Sequence, residues 1–221
     1  MARQSATDPR LLRYLDELYL WNRRIHLTTV PREKAPERHV AEARRLLLVA
    51  DPPAGARIVD IGSGGGVPGL VMAILRSDLH VVLVDSDRRS AGFLTHAAAV
   101  CGCTGVTVFA GRAEDLGHEP AHRAEYDLAV SRAAAAPPAL CELALPLLRV
   151  GGRLLALVGD AQAAVDSCVV AAASCGGGAP SVAAPGILAV SKVTPTPDAL
   201  PRRVGLPARR PLGTPGPTGP A

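Results

Sequence analysis

Residues 59–69, VDIGSGGGVPG, set a carboxylate directly before a run of glycines, and two cofactor motifs overlap there. From Asp60 the stretch is an acidic residue, a spacer and G-x-G-x-G (Asp60, Gly62, Gly64, Gly66), which suggests a sulfonium cofactor. From Gly64 it is G-x-G-x-x-G (Gly64, Gly66, Gly69), the dinucleotide fingerprint. Glycine does not choose between them, because any cofactor lying close to the backbone requires it. Charge does. A dinucleotide would bring a pyrophosphate dianion against Asp60, whereas S-adenosyl-L-methionine brings an ammonium and a sulfonium. At an effective dielectric of about 20, two charges about 4 Å apart interact by roughly 4 kcal/mol before desolvation, enough to set the preference. The Asp60 register is therefore preferred, and the Gly64, Gly66, Gly69 spacing is taken as an accident of a glycine-dense turn. Asp85 closes the next apolar run (HVVLVDS), where a carboxylate accepts hydrogen bonds from both hydroxyls of an adenosine ribose; the alternative is a cap for the helix that follows, with Ser86 and Asp87 as competitors.

The remaining inventory excludes much other chemistry. Six histidines are scattered (His26, His39, His80, His96, His118, His122), and there is neither a G-x-S-x-G elbow nor an H-E-x-x-H pair. His80 and His96 fall at a strand start and on a helix face. The five cysteines (Cys101, Cys103, Cys141, Cys168, Cys175) form no C-x-x-C and have no histidine pair at ligand spacing, so they are expected to be reduced thiols and no metal is expected.

These residues need elements to hold them. Pro9–Asn22 carries apolar residues at helical spacing (Leu11, Leu12, Leu15, Leu18, Tyr19), with Asp8 as N-cap and Pro9 at the first helical position. A second helix is expected from about Glu33 to Ala50. Strand-like and helix-like segments then alternate: strands at 56–61, 80–86, 106–110, 126–132, 152–159 and 186–193, helices at 67–76, 88–101, 137–149 and 162–175. Such alternation implies a mostly parallel, doubly wound α/β sheet. The glycines at 176–178 and the Ala/Pro-rich run to Pro185 are expected to form a flexible connection, and the final PLGTPGPTGPA to be disordered.

At 221 residues the chain has room for one α/β domain with extensions, divided as a helical section over 1–55, a cofactor domain over 56–200 and a tail over 201–221. Aromatic content of 3% argues against a base-stacking surface, and the absence of an apolar run of membrane length or a leader-like start leads to an expectation of a cytoplasmic protein. The net charge of +4 is unevenly placed: 10 basic against 6 acidic residues in 1–50, 10 against 13 in 51–192, and 4 against 1 in 193–221. Basic flanks around a mildly acidic core suit a polyanionic partner gripped from outside the cofactor turn; solvated surface arginine is the plain alternative.

YLWNRRIHLTTV (19–30) with Arg38 and His39, VDIGSGGGVPG (59–69), VDS (84–86), GRAEDL (111–116), YDLAVSRA (126–133), VGGRLLAL (150–157) and PRRVGLPARRPL (201–212) occur together and in order. On these the chain resembles the GidB (RsmG) family, bacterial small-subunit ribosomal RNA guanine-N7 methyltransferases, over about Leu11 to Leu212. The resemblance implies a Rossmann-like class I S-adenosylmethionine-dependent methyltransferase fold with an N-terminal helical extension. It also implies methyl transfer to N7 of a guanine in 16S ribosomal RNA, by a monomer acting on the RNA or the small subunit. Asp60, Gly62, Gly64, Gly66, Val67 and Asp85 would line the cofactor, Ala113 and Glu114 would sit against adenine, and Arg132 would meet substrate or the methionine carboxylate as the one catalytic candidate. Glu114 has solvated loop charge as its alternative, Arg132 a surface ion pair. His39 belongs either to the substrate side or to the packing of the helical section. Arg202, Arg203, Arg209 and Arg210 are the expected phosphate contacts, with Arg23, Arg24 and Arg38 from the front. Three departures from the family stand out: Val158 in place of a lysine near the fifth strand, VAEARRL after His39, and the Ala-rich SRAAAAPPA at 131–139. A nicotinamide-dependent reductase, a non-catalytic RNA-binding assembly factor and a methyltransferase with another acceptor are the competing functions.

Overall fold

Helix α1 (Pro9–Asn22) begins where the Asp8 side chain accepts the Arg10 backbone N–H at 2.9 Å, and it buries Leu11, Tyr14, Leu15 and Leu18 along one face. Leu12, expected on that face, is half exposed instead. The computed structural model describes residues 8–132 and 134–214. Ala133 of the Ala-rich stretch and most of the Pro/Gly-rich end, residues 215–221, therefore lie outside the described residues. The expected helix over 33–50 is broken into a 3₁₀ turn at Arg32–Lys34, a π-helical turn at Pro36–Val40 and helix α2 (Ala41–Ala50). Pro36 interrupts the run because it has no N–H to give to a preceding carbonyl.

The strands are β1 (Arg57–Ile61), β2 (His80–Asp85), β3 (Val106–Ala110), β4 (Tyr126–Arg132), β5 (Leu148–Leu157), β6 (Ser181–Ala184) and β7 (Ile187–Ser191), in the sheet order β3-β2-β1-β4-β5-β7-β6. Between and around them run α3 (Gly69–Leu75), α4 (Arg88–Val100), α5 (Ala113–Leu116), α6 (Pro137–Ala144), α7 (Ala161–Ser174) and α8 (Leu206–Arg209). β1, β2 and β3 pair in parallel, with Ile61 opposite Val84 and Asp85 opposite Ala110. β7 runs antiparallel to both β5 and β6, so the sheet is mixed. β6 lies within the segment expected to be a flexible connection. Its Ser181, Val182 and Ala184 pair with β7, with a register shift between Val182 and Ala184, across a turn at Gly186, whose φ of 71° suits glycine. A short edge strand of small residues carries too little apolar pattern to be found by period. β5 starts at Leu148, earlier than expected, because α6 ends at Ala144 and a 3₁₀ turn at Leu145–Leu147 follows.

Two compact units divide the chain, one of Met1–Gly111 with Val130–Arg132 and the other of Arg112–Ala129 with Ala133–Ala221. In the first, the core gathers Ile58, Val59, Leu70, Met72, Ile74, Leu83, Phe93 and Leu94 around β1 and β2. The chain leaves β1 in one direction for β2 and β3, then returns to place β4 on its other side. That reversal opens a crevice at the carboxyl ends of β1 and β4, the place where open α/β sheets bind ligands. In the second unit, Arg123 holds the segment before the tail by donating to the carbonyls of Gly117, Thr196, Pro197 and Leu200 at 2.8–3.1 Å.

Candidate cofactor and methyl-transfer site

Asp60 sits one residue before the end of β1 with its side chain wholly buried. Its Oδ2 accepts the backbone N–H of Gly69 at 2.9 Å, while Oδ1 is buried without a hydrogen-bond partner. Burial pushes the carboxyl up to about 7, against the opposing pull of the Gly69 N–H, the Ser63 hydroxyl and the Arg132 charge. The glycine turn is fixed to β2 by two bonds into the Val84 carbonyl, from Gly62 N–H at 2.9 Å and Ser63 N–H at 3.0 Å. The Ser63 hydroxyl donates to the Asp60 carbonyl and accepts Val84 N–H. Gly62, Gly64 and Gly66 all have positive φ, which explains the three alternating glycines. At Gly64 a Cβ would meet nothing closer than 4.0 Å, so backbone is presented to open space.

Gly69 requires a correction. It is no accident of composition: a Cβ there would lie 2.6 Å from both Asp60 Cβ and Leu83 Cδ2, and its N–H is the partner of Asp60. The third glycine of the dinucleotide-like spacing is kept here for close helix-to-strand approach, a use both registers share.

Asp85, at the end of β2, accepts Gly64 N–H on Oδ2 at 2.7 Å and Asp87 N–H on Oδ1 at 2.8 Å. The cap of α4 is Asp87, which accepts Arg89 N–H at 3.0 Å, so the capping alternative for Asp85 falls away. Each Asp85 oxygen retains a lone pair beyond its one backbone bond. Val67 is buried within the turn.

At the end of β4, Ser131 donates its hydroxyl to the Ile61 carbonyl at 2.8 Å, which ties the crevice's two strands together. The next residue, Arg132, is partly buried and directs Nη1 to Glu42 Oε2 at 2.9 Å and to His39 Nδ1 at 3.0 Å. Arginine only donates, so His39 Nδ1 is an acceptor and its proton resides on Nε2, which faces Thr28 Oγ1 at 3.1 Å. Burial first, then the charges of Arg132 and Arg38, press the His39 imidazole down to about 4. His39 is thus a neutral, fully buried residue joining the helical section to β4.

The front section was legible as helix, but its contacts with the glycine turn were not. Tyr14, fully buried, donates its hydroxyl to the Gly65 carbonyl at 2.6 Å, and a Cβ at Gly65 would lie tightly, 3.0 Å from the Leu27 carbonyl oxygen and 3.1 Å from Leu18 Cδ1. Asn22 bends the chain after α1 by accepting Leu27 and Thr28 N–H and donating to the Thr28 carbonyl, and Tyr19 donates to the Val30 carbonyl. The WNRRIHLTTV stretch therefore shapes a loop that delivers Leu27 to the glycine turn and Thr28 to His39.

In the second unit, Ala113 and Glu114 open the short helix α5. Glu114 is buried and accepts Gly205 N–H at 2.9 Å, so it is not solvated loop charge. Arg202 also needs revision. Its Nε and Nη2 form a two-pronged pair with the completely buried Glu142, at 2.8 and 2.6 Å, and its backbone N–H joins the same carboxylate at 2.8 Å. A guanidinium committed to a buried carboxylate is a strut rather than an open phosphate contact. Arg203, Arg209 and Arg210 are exposed, as are Arg23 and Arg24; Arg38 is exposed but pairs with Glu42 at 3.2 Å.

A buried carboxylate at the end of β1, a half-buried one at the end of β2 and a guanidinium at the end of β4, set at a sheet reversal, belong to a Rossmann-like class I S-adenosylmethionine-dependent methyltransferase fold. A crystal structure of a point mutant of MtNAS shares this fold with a TM-score of 0.55 at 15% identity, over 87% of this chain and 74% of that one, a likeness of fold alone. The family described as GidB, rRNA small subunit methyltransferase G, matches residues 7–175. Proteins named Ribosomal RNA small subunit methyltransferase G are similar across most of their length. That of Roseiflexus castenholzii is 44% identical, covering 90% of this chain and 89% of its own, and that of Moorella thermoacetica is 37% identical, covering 90% and 88%. This chain belongs to the rRNA small subunit methyltransferase G family.

Proposed function

We propose that the chain transfers a methyl group from S-adenosyl-L-methionine to N7 of one guanine in 16S ribosomal RNA, as a cytoplasmic monomer acting on the RNA or the small subunit. The observation that carries this reading is Asp60 Oδ1, a buried carboxylate oxygen with no partner, in a turn whose charged neighbours are Arg132, of opposite sign, and Asp85. The pair fits a zwitterion: Asp60 for an ammonium, the Arg132 guanidinium for a carboxylate. In this reading Asp85 takes the ribose hydroxyls, and Gly62, Gly64, Gly66 and Val67 offer backbone and a small apolar wall. A pyrophosphate would meet two carboxylates in the same place, which disfavours the dinucleotide alternative. Ala113 and Glu114 are assigned to the adenine on the family resemblance.

When bound, the cofactor supplies a methyl group already activated on a sulfonium. Guanine N7 is an acceptor with a free lone pair at neutral pH, so attack needs no proton removed. This suits a site beside which His39 is neutral with both nitrogens engaged. The protein's task is then to hold the nucleophile in line, where positioning is worth up to about 7–11 kcal/mol. The new N–C bond takes the N7 lone pair and leaves guanine positive, and the Asp60 carboxylate provides compensating charge in that field. Exposed Arg23, Arg24, Arg203, Arg209 and Arg210, with Arg38, are the phosphate contacts in this reading.

The test is to incubate purified protein and labelled cofactor with 16S RNA or small subunits lacking the modification, and to map N7-methylated guanines by chain cleavage. One labelled guanine in 16S RNA supports the reading. Transfer to no RNA, or to many guanines alike, overturns the acceptor assignment.

A further inference from the structure

Arg132 has five N–H bonds, and the structure accounts for those on one nitrogen. Both hydrogens of Nη1 are taken, one by His39 Nδ1 at 3.0 Å and one by Glu42 Oε2 at 2.9 Å. Among the described residues no partner meets Nε or Nη2, and these two form the side of the guanidinium that binds a planar two-oxygen group bidentately. Glu42 is itself held, since its Oε1 pairs with Arg38 Nε at 3.2 Å. His39 is held by Thr28, whose hydroxyl oxygen also accepts Val30 N–H at 3.1 Å.

We infer that His39 and Glu42 are positioning residues for methyl transfer: they lock the Arg132 guanidinium through Nη1 so that its Nε/Nη2 side faces the crevice ready to hold a carboxylate. This rests on the reading that Arg132 binds the cofactor's carboxylate. A freely turning guanidinium must be ordered when ligand binds, and the lock removes that entropic cost in advance. Glu42 lies in the VAEARRL segment, one of the places where this sequence departs from the family pattern, so the departing segment still contributes a carboxylate to the site's support. His39 does a job that only a neutral acceptor can do; a cation there would repel Arg132.

The experiment measures the dissociation constant of S-adenosylhomocysteine by calorimetry, together with single-turnover transfer, for a set of variants. His39→Leu and Glu42→Gln are each expected to weaken binding about tenfold, the scale of a hydrogen bond to a charged group. His39→Asn places an amide oxygen near where Nδ1 stands and should recover most of the loss. His39→Gln reaches toward Thr28 instead and should not. In an Arg132→Lys background, His39→Leu should add less than about twofold, because a residue acting through Arg132 has nothing further to act on. Equal losses from His39→Asn and His39→Leu, or full additivity with Arg132→Lys, would overturn the positioning role while leaving the cofactor site intact. Should His39→Leu melt early, Glu42→Gln with and without Arg132→Lys carries the same cycle. Full binding and transfer by Arg132→Ala would instead remove the reading on which the inference rests.

Discussion

Asp60→Asn separates the two things this carboxylate does. The amide oxygen can still accept Gly69 N–H, so the packing of α3 against β1 is kept, but the ionisation is lost. In the wild-type protein the carboxyl titrates at about 7 rather than 3.8 because it is buried. The folded state thus holds a proton that the unfolded chain releases between about pH 4 and 7. Stability from this group is full below pH 4 and declines as pH rises to 7, by about 1.4 kcal/mol per unit and about 4 kcal/mol in total. Binding has the opposite dependence: the ligand's ammonium needs the ionised carboxylate, so affinity should fall tenfold per unit below pH 7 and be about 30-fold weaker at pH 5.5 than at pH 8. In Asp60→Asn both slopes should vanish, with affinity at pH 8 reduced about 10- to 100-fold and a higher melting temperature than wild type at that pH. Calorimetric titration of S-adenosylhomocysteine and thermal melts from pH 5.5 to 8.5 read both quantities. A variant that keeps the wild-type pH slope of binding, or that binds within twofold of wild type at pH 8, would refute the assignment of Asp60 to the cofactor's ammonium.

Gly69→Ala should lower stability by about 1–3 kcal/mol in urea titration, since its Cβ would overlap Asp60 and Leu83, and should weaken cofactor binding in step. Tyr14→Phe removes the hydroxyl on the Gly65 carbonyl and should cost about 1–3 kcal/mol in thermal melts by leaving that carbonyl unpaired. Arg202→Ala leaves the Glu142 charge buried without its guanidinium, with the backbone N–H of residue 202 still bonded to it, and should destabilise the fold by about 3–5 kcal/mol. Neutralising Arg209 and Arg210 should leave the melting temperature unchanged, weaken RNA binding and flatten its salt dependence by about one unit of slope for each phosphate no longer neutralised. Equal melting behaviour for Arg202→Ala and the Arg209/Arg210 variant would contradict the division between strut and surface.

Much of the fold was legible because it depends on periodic patterns. Apolar runs of five to seven residues mark the buried parallel strands, and α1 was bounded to the residue by Asp8, Pro9 and the breakdown of spacing after Asn22. What escaped was local structure without period: the π-helical turn holding His39, the edge strand β6, and the one-turn helix α5. In the site, Asp60 and Asp85 were legible because a carboxylate at the end of a buried strand is costly unless used. Tyr14 and Glu42 were not, because in sequence one is an aromatic on a helix and the other a charge beside several arginines.

The sequence alone determined the order of the main strands and helices and the sign of the charges at the strand ends, since both follow from local patterns. The reversal that opens the crevice at β1 and β4 came only with the sheet order. Only the tertiary structure decided how those groups are held. Arg132 meets its two partners across 93 and 90 residues of chain, Tyr14 reaches Gly65 across 51, and Arg202 finds Glu142 across 60. No local propensity encodes such pairs. They exist because the packed core brings distant backbone together, and a buried polar group must then find whichever partner that packing places within reach.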